Sequence, residues 1–285
     1  MEIFRNSAGN VNSYLLKNDN GFFMVDTGFS RDRSKIEKML TEAGCNPGDL
    51  KLVLLTHGDT DHTGNAAYLR QKYGAKLGLH SEEQRVATTG NMLNNRKPWP
   101  FWARLLAPPV MYFFGGTGKN RFATDIFLED GMDLSGFGLD ARVLHLPGHT
   151  RGSVGILTAG ADLFCGDLLV SRKRVPQKNH LIDDEAVMNA SIEKLRKLDI
   201  RTVYPGHGRS FVWSEFRQTY LADYKNISLA TDIYANKGYF RGTIGIIVHT
   251  FHREGIPEMY LIDFSSPQQQ LDLLEVTAQD IELIS

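Results

Sequence analysis

The chain has 285 residues, enough for one large domain or for a medium one with a small companion. With 42% hydrophobic and 23% charged residues its composition is that of a globular protein, and a formal net charge of -1 gives no global field to draw it to nucleic acid or an anionic membrane. The two cysteines, Cys45 and Cys165, make no disulfide framework, the first residues lack the basic head and apolar core of a secretory leader, and no apolar run is long enough to span a bilayer, so the reduced cytoplasm is the expected compartment.

The first part of the chain alternates strand and helix signals. Residues 13–16 and 22–25 are predicted strands on either side of a polar turn. Residues 34–43 carry Ile36, Met39, Leu40 and Ala43 at helical spacing, with Gly44 as a stop. The run KLVLL, 51–55, is the pattern of a strand buried on both faces. It passes straight into THGDTDHTGN, and helical spacing resumes over 65–73. A short strand follows at 77–79. Residues 98–115 then crowd Trp, Phe, Leu, Met and Pro together, as an apolar lid over a site would, or a dimer interface. Strands are predicted at 142–146, 154–157 and 163–165. A helix is predicted over 184–198, with Met188, Ile192, Leu195 and Leu198 on one face. TVYPGHG is a final strand and turn, and a helical segment covers about 213–227. Beyond it, GTIGIIVHTF, EMYLIDF and LDLLEVTAQDIELI read as strands of a small β-barrel. The predicted organisation is an α/β domain over 1–225 and an accessory barrel over 226–285.

Four loops, each following a predicted strand and each flanked by glycine, carry metal-capable side chains. THGDTDH offers His57, Asp59, Asp61 and His62; LPGHTRGS offers His149; LFCGDLL offers Asp167; VYPGHG offers His207. Strands that end at one sheet edge bring such loops together, and four imidazoles with three carboxylates suffice for two cations sharing a bridging ligand. A lone histidine is usually a surface or core residue, but seven candidates on strand ends are hard to explain that way. Cys165 reads as a small apolar strand residue, not a nucleophile. His145 reads as packed, and His80 as a neighbour of the site without a ligand role. Arg172, Lys173 and Arg174 could clamp an acidic group of a substrate, although a solvated loop is the simpler reading.

These motifs resemble those of the metallo-β-lactamase superfamily of hydrolases, over about residues 1–215. The resemblance implies a mixed α/β fold, the four-layer αββα sandwich, with metals at one edge between the sheets. Carried over by position, His57, Asp59 and His149 hold metal one, Asp61, His62 and His207 hold metal two, and Asp167 bridges them. Asp26, in MVDTG, supports the ligand loop. The departure is Asp59: the usual H-x-H-x-D-H is here H-x-D-x-D-H. A third carboxylate should favour manganese or iron relative to zinc, and the flavodiiron branch has a carboxylate at this place and uses iron. The expectation is a binuclear hydrolase with two divalent ions, zinc or manganese/iron. A hydroxide between the ions attacks an ester, thioester, lactone or amide of a small, partly apolar substrate, and Asp61 orients or shuttles a proton. The alternatives are a phosphodiesterase, an iron redox enzyme of the flavodiiron type, and a non-enzymatic metal-binding protein. The expected partner is a small molecule, not nucleic acid or membrane, with a homodimer left open.

Overall fold

The computed structural model describes residues 1–8, 10–96, 121–216, 226–251, 259–264 and 273–283. The apolar segment 98–115 falls within 97–120, outside the described residues. The chain divides into two compact units, Met1–Trp213 and Ser214–Ser285.

In the first unit β1 (Glu2–Ala8), β2 (Val11–Asn18), β3 (Gly21–Val25), β4 (Leu50–Leu54), β5 (Lys76–Leu79) and β6 (Ile126–Phe127) form one sheet in sequence order. Its first three strands pair antiparallel and β3 to β6 pair parallel. Between the parallel strands run α1 (Arg33–Glu42), α2 (Thr60–Thr63), α3 (Ala66–Tyr73) and α4 (Gln84–Thr89). The second sheet has the order β13-β12-β9-β8-β7, from β7 (Ala141–His145), β8 (Val154–Thr158), β9 (Asp162–Gly166), β12 (Thr202–Pro205) and β13 (Phe211–Val212). A hairpin, β10 (Leu169–Arg172) with β11 (Val175–Lys178), and the helix α5 (Glu185–Arg196) complete this half.

Side-chain alternation divides the core. On the first sheet Leu15, Phe22, Met24 and Val53 turn to one face and pack with Ile36, Leu40 and Leu69 of α1 and α3. Their neighbours Tyr14, Leu16, Phe23, Val25, Leu52 and Leu54 turn to the other and meet Val143, Ile156 and Phe164 of the second sheet. A continuous apolar run at β4 is therefore required, since both faces are covered. The helix α5 buries Met188, Ile192 and Leu195, and the Asp184 carboxylate caps it by accepting from Val187 N at 3.2 Å. The result is the expected mixed α/β sandwich.

The second unit is an antiparallel half-barrel of β14 (Asn226–Leu229), β15 (Ile244–Phe251), β16 (Met259–Asp263), β17 (Leu273–Thr277) and β18 (Ile281–Leu283), in the order β17-β16-β15-β14-β18. It has its own core of Ile227, Leu229, Ile247, Ile262, Leu274 and Val276. Asn226 and Ile227 belong to β14, so the predicted helical segment over 213–227 cannot extend that far: Ile227 is fully buried where a strand places it in this core. Among the described residues no helix is long and apolar enough to cross a membrane.

Candidate metal centre

The strand directions bring the predicted loops to one edge. Asp26 follows β3, His57 follows β4, His149 follows β7, Asp167 follows β9 and His207 follows β12. Hydrogen bonds between the sheets fix this edge. Val154 N donates to Thr56 O at 2.8 Å and Asn12 N to Gly206 O at 2.8 Å. Asn12 Nδ2 donates to Pro205 O at 2.9 Å and to Gly208 O at 2.7 Å, and the buried Tyr14 hydroxyl donates to Pro205 O at 2.7 Å. Gly206 has no room for a side chain, because a Cβ there would lie 2.2 Å from Asp167 Oδ1 and 2.7 Å from His62 Cε1.

Each of the four imidazoles is oriented through Nδ1. His62 Nδ1 faces Asp26 Oδ2 at 2.8 Å, His149 Nδ1 faces Leu181 O at 2.5 Å, and His207 Nδ1 faces Asn10 O at 2.8 Å. These oxygens only accept, so Nδ1 carries the proton. His57 Nδ1 lies 3.0 Å from Thr56 Oγ1, whose own proton goes to Asp26 Oδ2, so it too donates. Every Nε2 is thereby left to face inward with its lone pair, the tautomer that acceptors behind the ring impose on metal-binding histidines. Asp26 also accepts from Thr56 N at 2.8 Å, and its backbone lies in the left-handed region at φ 55°.

Inward, the donors gather in two groups. His57, His149 and Asp167 form one, and Asp61, His62 and His207 the other, with the ligand atoms in each within 4.8 Å of one another. Asp167 reaches both: Oδ2 is 3.8 Å from His149 Nε2 and 3.1 Å from His207 Nε2, and Oδ1 is 3.4 Å from His62 Nε2. Asp61 Oδ2 stands 3.6 Å from the Nε2 atoms of both His62 and His207. His57 Nε2, His62 Nε2 and Asp167 Oδ1 are buried and make no hydrogen bond. Buried orphans of this kind, on nitrogen and carboxylate donors facing one another, fit cations.

Asp59 is placed beside the first group, with Oδ2 3.5 Å from His57 Nε2 and 3.3 Å from His149 Nε2. It is the N-cap residue of α2, yet its side chain makes no cap bond. Both carboxylate oxygens instead accept from Arg96, at 2.8 and 2.5 Å. A further carboxylate, Glu83, is fully buried behind the same loops. Its Oε1 accepts from Thr150 Oγ1 at 2.6 Å and Gly152 N at 2.9 Å, and its Oε2 from Gly58 N at 2.9 Å. Glu83 thus ties the His57 loop to the His149 loop.

Burial disfavours charge throughout this centre, but the partners outweigh it. The Asp167 carboxyl is pushed up by burial and held well below the usual carboxylate range by His62, His207 and His149. Asp59 is likewise held well below that range against burial, chiefly by Arg96 and then by His149 and His57. His62 is lowered by burial and raised well above the usual imidazole range by Asp167, Asp61 and Asp26. His149 and His207 are raised in the same way, by Asp59 with Asp167 and by Asp167 with Asp61. A cation needs each Nε2 without a proton, so metal and protons compete for His62, His149 and His207. Burial drives the Cys165 thiol up to about 12, which removes it as a nucleophile at neutral pH.

All seven predicted positions converge at this edge. Sequence reading did not reveal Glu83 or Arg96. Glu83 sits in HSEEQ, where nothing distinguishes it from an ordinary helix-start acid. Arg96 has one indirect signal, the uncompensated charge of Asp59. His80 and His145 lie apart from both groups, their rings stacked at 4.3 Å with an 8° interplanar angle.

A sandwich that brings histidine and aspartate donors from four strand ends, and the supporting Asp26 from a fifth, to one edge defines a hydrolase of the metal-dependent class. The chain belongs to the metallo-beta-lactamase superfamily, whose family model matches residues 6–207. It is 28% identical over 167 residues to hydroxyacylglutathione hydrolase GloC of Haemophilus influenzae, covering 56% of this chain and 69% of that protein. It is 26% identical over 200 residues to the probable metallo-hydrolase YqgX of Bacillus subtilis, covering 70% and 85%. Among solved structures, TTHA1623 in a di-iron-bound form is similar with a TM-score of 0.55 and 27% identity, over 73% of this chain and 94% of that one.

Proposed function

We propose that the chain is a binuclear metallo-hydrolase that cleaves an ester, thioester, lactone or amide bond in a small molecule bearing an acidic group. The observation that carries this reading is the convergence of two donor groups that share Asp167. His57, Asp59, His149 and Asp167 would hold one cation, and Asp61, His62, His207 and Asp167 the other. When bound, such a pair supplies Lewis acidity to the scissile carbonyl and a water acidic enough to ionise near neutral pH.

The chain's own residues do the rest. Asp26, Thr56, Leu181 and Asn10 hold the imidazole rings in place. The Asp61 side chain is 21% exposed, which leaves a carboxylate within reach of both donor group and solvent to hold or pass a proton for the leaving group. A cleft of about 650 Å³ is lined by Ser171, Lys173, Arg174 and Arg209. It adjoins the His207 turn, since Ser171 N donates to His207 O at 3.1 Å. Its three cationic side chains suit a carboxylate or phosphate on the substrate. With three carboxylates around the pair, manganese or iron is favoured relative to zinc, and a similar structure holds two irons.

The test is a substrate panel run on metal-stripped protein reloaded with zinc, manganese or iron. The hydroxyacylglutathione hydrolase among the relatives puts acylated glutathione first, followed by simple esters, lactones, lactams and phosphodiesters. Turnover of an acyl substrate that His62→Ala and Asp167→Ala both abolish supports the assignment. Turnover that survives both substitutions, or that is confined to phosphodiesters, overturns it.

A further inference from the structure

The carboxylate at the third motif position is spoken for. An imidazole there would offer one lone pair, whereas Asp59 offers two oxygens, and Arg96 takes both: Nη1 donates to Oδ1 at 2.8 Å and Nη2 to Oδ2 at 2.5 Å. Nη1 also donates to Met92 O at 2.8 Å, which fixes the guanidinium to the turn it grows from. Nη2 lies 3.4 Å from His149 Nε2, the lone pair turned inward by Leu181 O. One guanidinium nitrogen therefore touches two donors of the position where a first cation is expected. The pair is well sheltered, with side-chain exposures of 15% for Arg96 and 11% for Asp59. A bidentate pair removed from water is not released unless another positive charge takes its place. The second donor group is different. Among the described residues, no lysine or arginine pairs with Asp61, His62, Asp167 or His207.

We propose that Arg96 is a built-in counter-ion that closes the His57–Asp59–His149 position, so that the two metal positions fill unequally. The first cation settles on Asp61, His62, Asp167 and His207. The second enters only by displacing the guanidinium from Asp59, because both need the same carboxylate oxygens. This rests on the binuclear reading above and deepens it: the enzyme has one resident ion and a second whose occupancy follows metal supply. Substituting aspartate at the motif's third position then does more than change a ligand, since it supplies the anchor that an arginine needs to compete with a metal.

The experiment is stepwise titration of metal-stripped full-length protein with cobalt(II), followed by d–d absorption and calorimetry, on wild type, Arg96→Met, Arg96→Lys and His62→Ala, each checked for its fold by circular dichroism. In wild type the second step should be weaker than the first by about tenfold or more, the scale on which single side chains around a site tune metal affinity. Arg96→Met should strengthen the second step by about the same factor and leave the first within about twofold. Arg96→Lys, which keeps a charge but cannot grip both oxygens, should fall between. His62→Ala should remove the tight step. Two equal steps in wild type, or a second step that Arg96→Met leaves unmoved, overturns the counter-ion role while the binuclear reading stands. If no folded variant binds cobalt, both fall.

Discussion

Glu83 is a fully buried carboxylate whose two oxygens accept, among the described residues, from Gly58 N, Thr150 Oγ1 and Gly152 N on two separate loops. Replacing it with glutamine keeps the shape but turns an amide N–H against a donor whichever way the group is flipped. Glu83→Gln should cost about 2 kcal/mol of stability, measurable by urea denaturation, and weaken metal binding because the His57 and His149 loops lose their tie. Glu83→Ala, which takes the acceptor from the Gly58 and Gly152 N–H groups and leaves the Thr150 hydroxyl only Ser153, should cost about 3 kcal/mol or more. The cysteines give a second check at this scale. Cys45 and Cys165 are buried, and burial drives both thiols up to about 12. Neither should react with a thiol reagent at pH 8 in the native protein, and both should react in guanidinium. Rapid native labelling of Cys165 would contradict its packed position on β9. The seven donors were legible because histidines and aspartates beside glycines after apolar runs have few other uses. Glu83 and Arg96 were not, because each acts on residues far along the chain and their local sequence is ordinary.

At the scale of elements, the site depends on how closely β12 and its turn approach β9. Gly206 does not occupy a backbone region closed to other residues, so alanine there meets only a contact problem, but a severe one: 2.2 Å to Asp167 Oδ1. Gly206→Ala should fold and lose about tenfold or more in metal affinity, read by chelator competition. Normal affinity in that variant would show that Asp167 does not serve as a ligand. The strands of the core were legible from their apolar runs, and α1, α3 and α5 from helical spacing. Among the features that escaped, two are instructive. β1 is a half-exposed edge with weak alternation, its burial running between exposed and intermediate until Ala8. The β10–β11 hairpin turns through Lys173 and Arg174 at φ 47° and 69°, a left-handed pair that glycine or asparagine would have announced. Two basic residues in those places looked like an open loop.

Over the whole molecule, both donor groups lie in the first unit, and among the described residues no such group lies in the second. Metal should therefore stabilise the first unit selectively. With free metal at about 100 times Kd, each filled site adds about 2.7 kcal/mol, so chelation should lower that unit's melting temperature by about 5–10 °C for each site emptied. A transition belonging to the half-barrel should stay where it was; equal shifts in both would count against confining the metals to Met1–Trp213. The half-barrel itself was legible as strands following one another with turns between, while the helical segment before it was carried too far, over Asn226 and Ile227 of β14. One further consequence concerns the amino terminus. His207 hangs its ring from the carbonyl of Asn10, and Asn12 and Tyr14 grip the turn that carries it. The opening hairpin is thus a bracket for the His207 imidazole, and trimming or tagging this end of the chain, usually harmless, would be felt at the candidate metal centre.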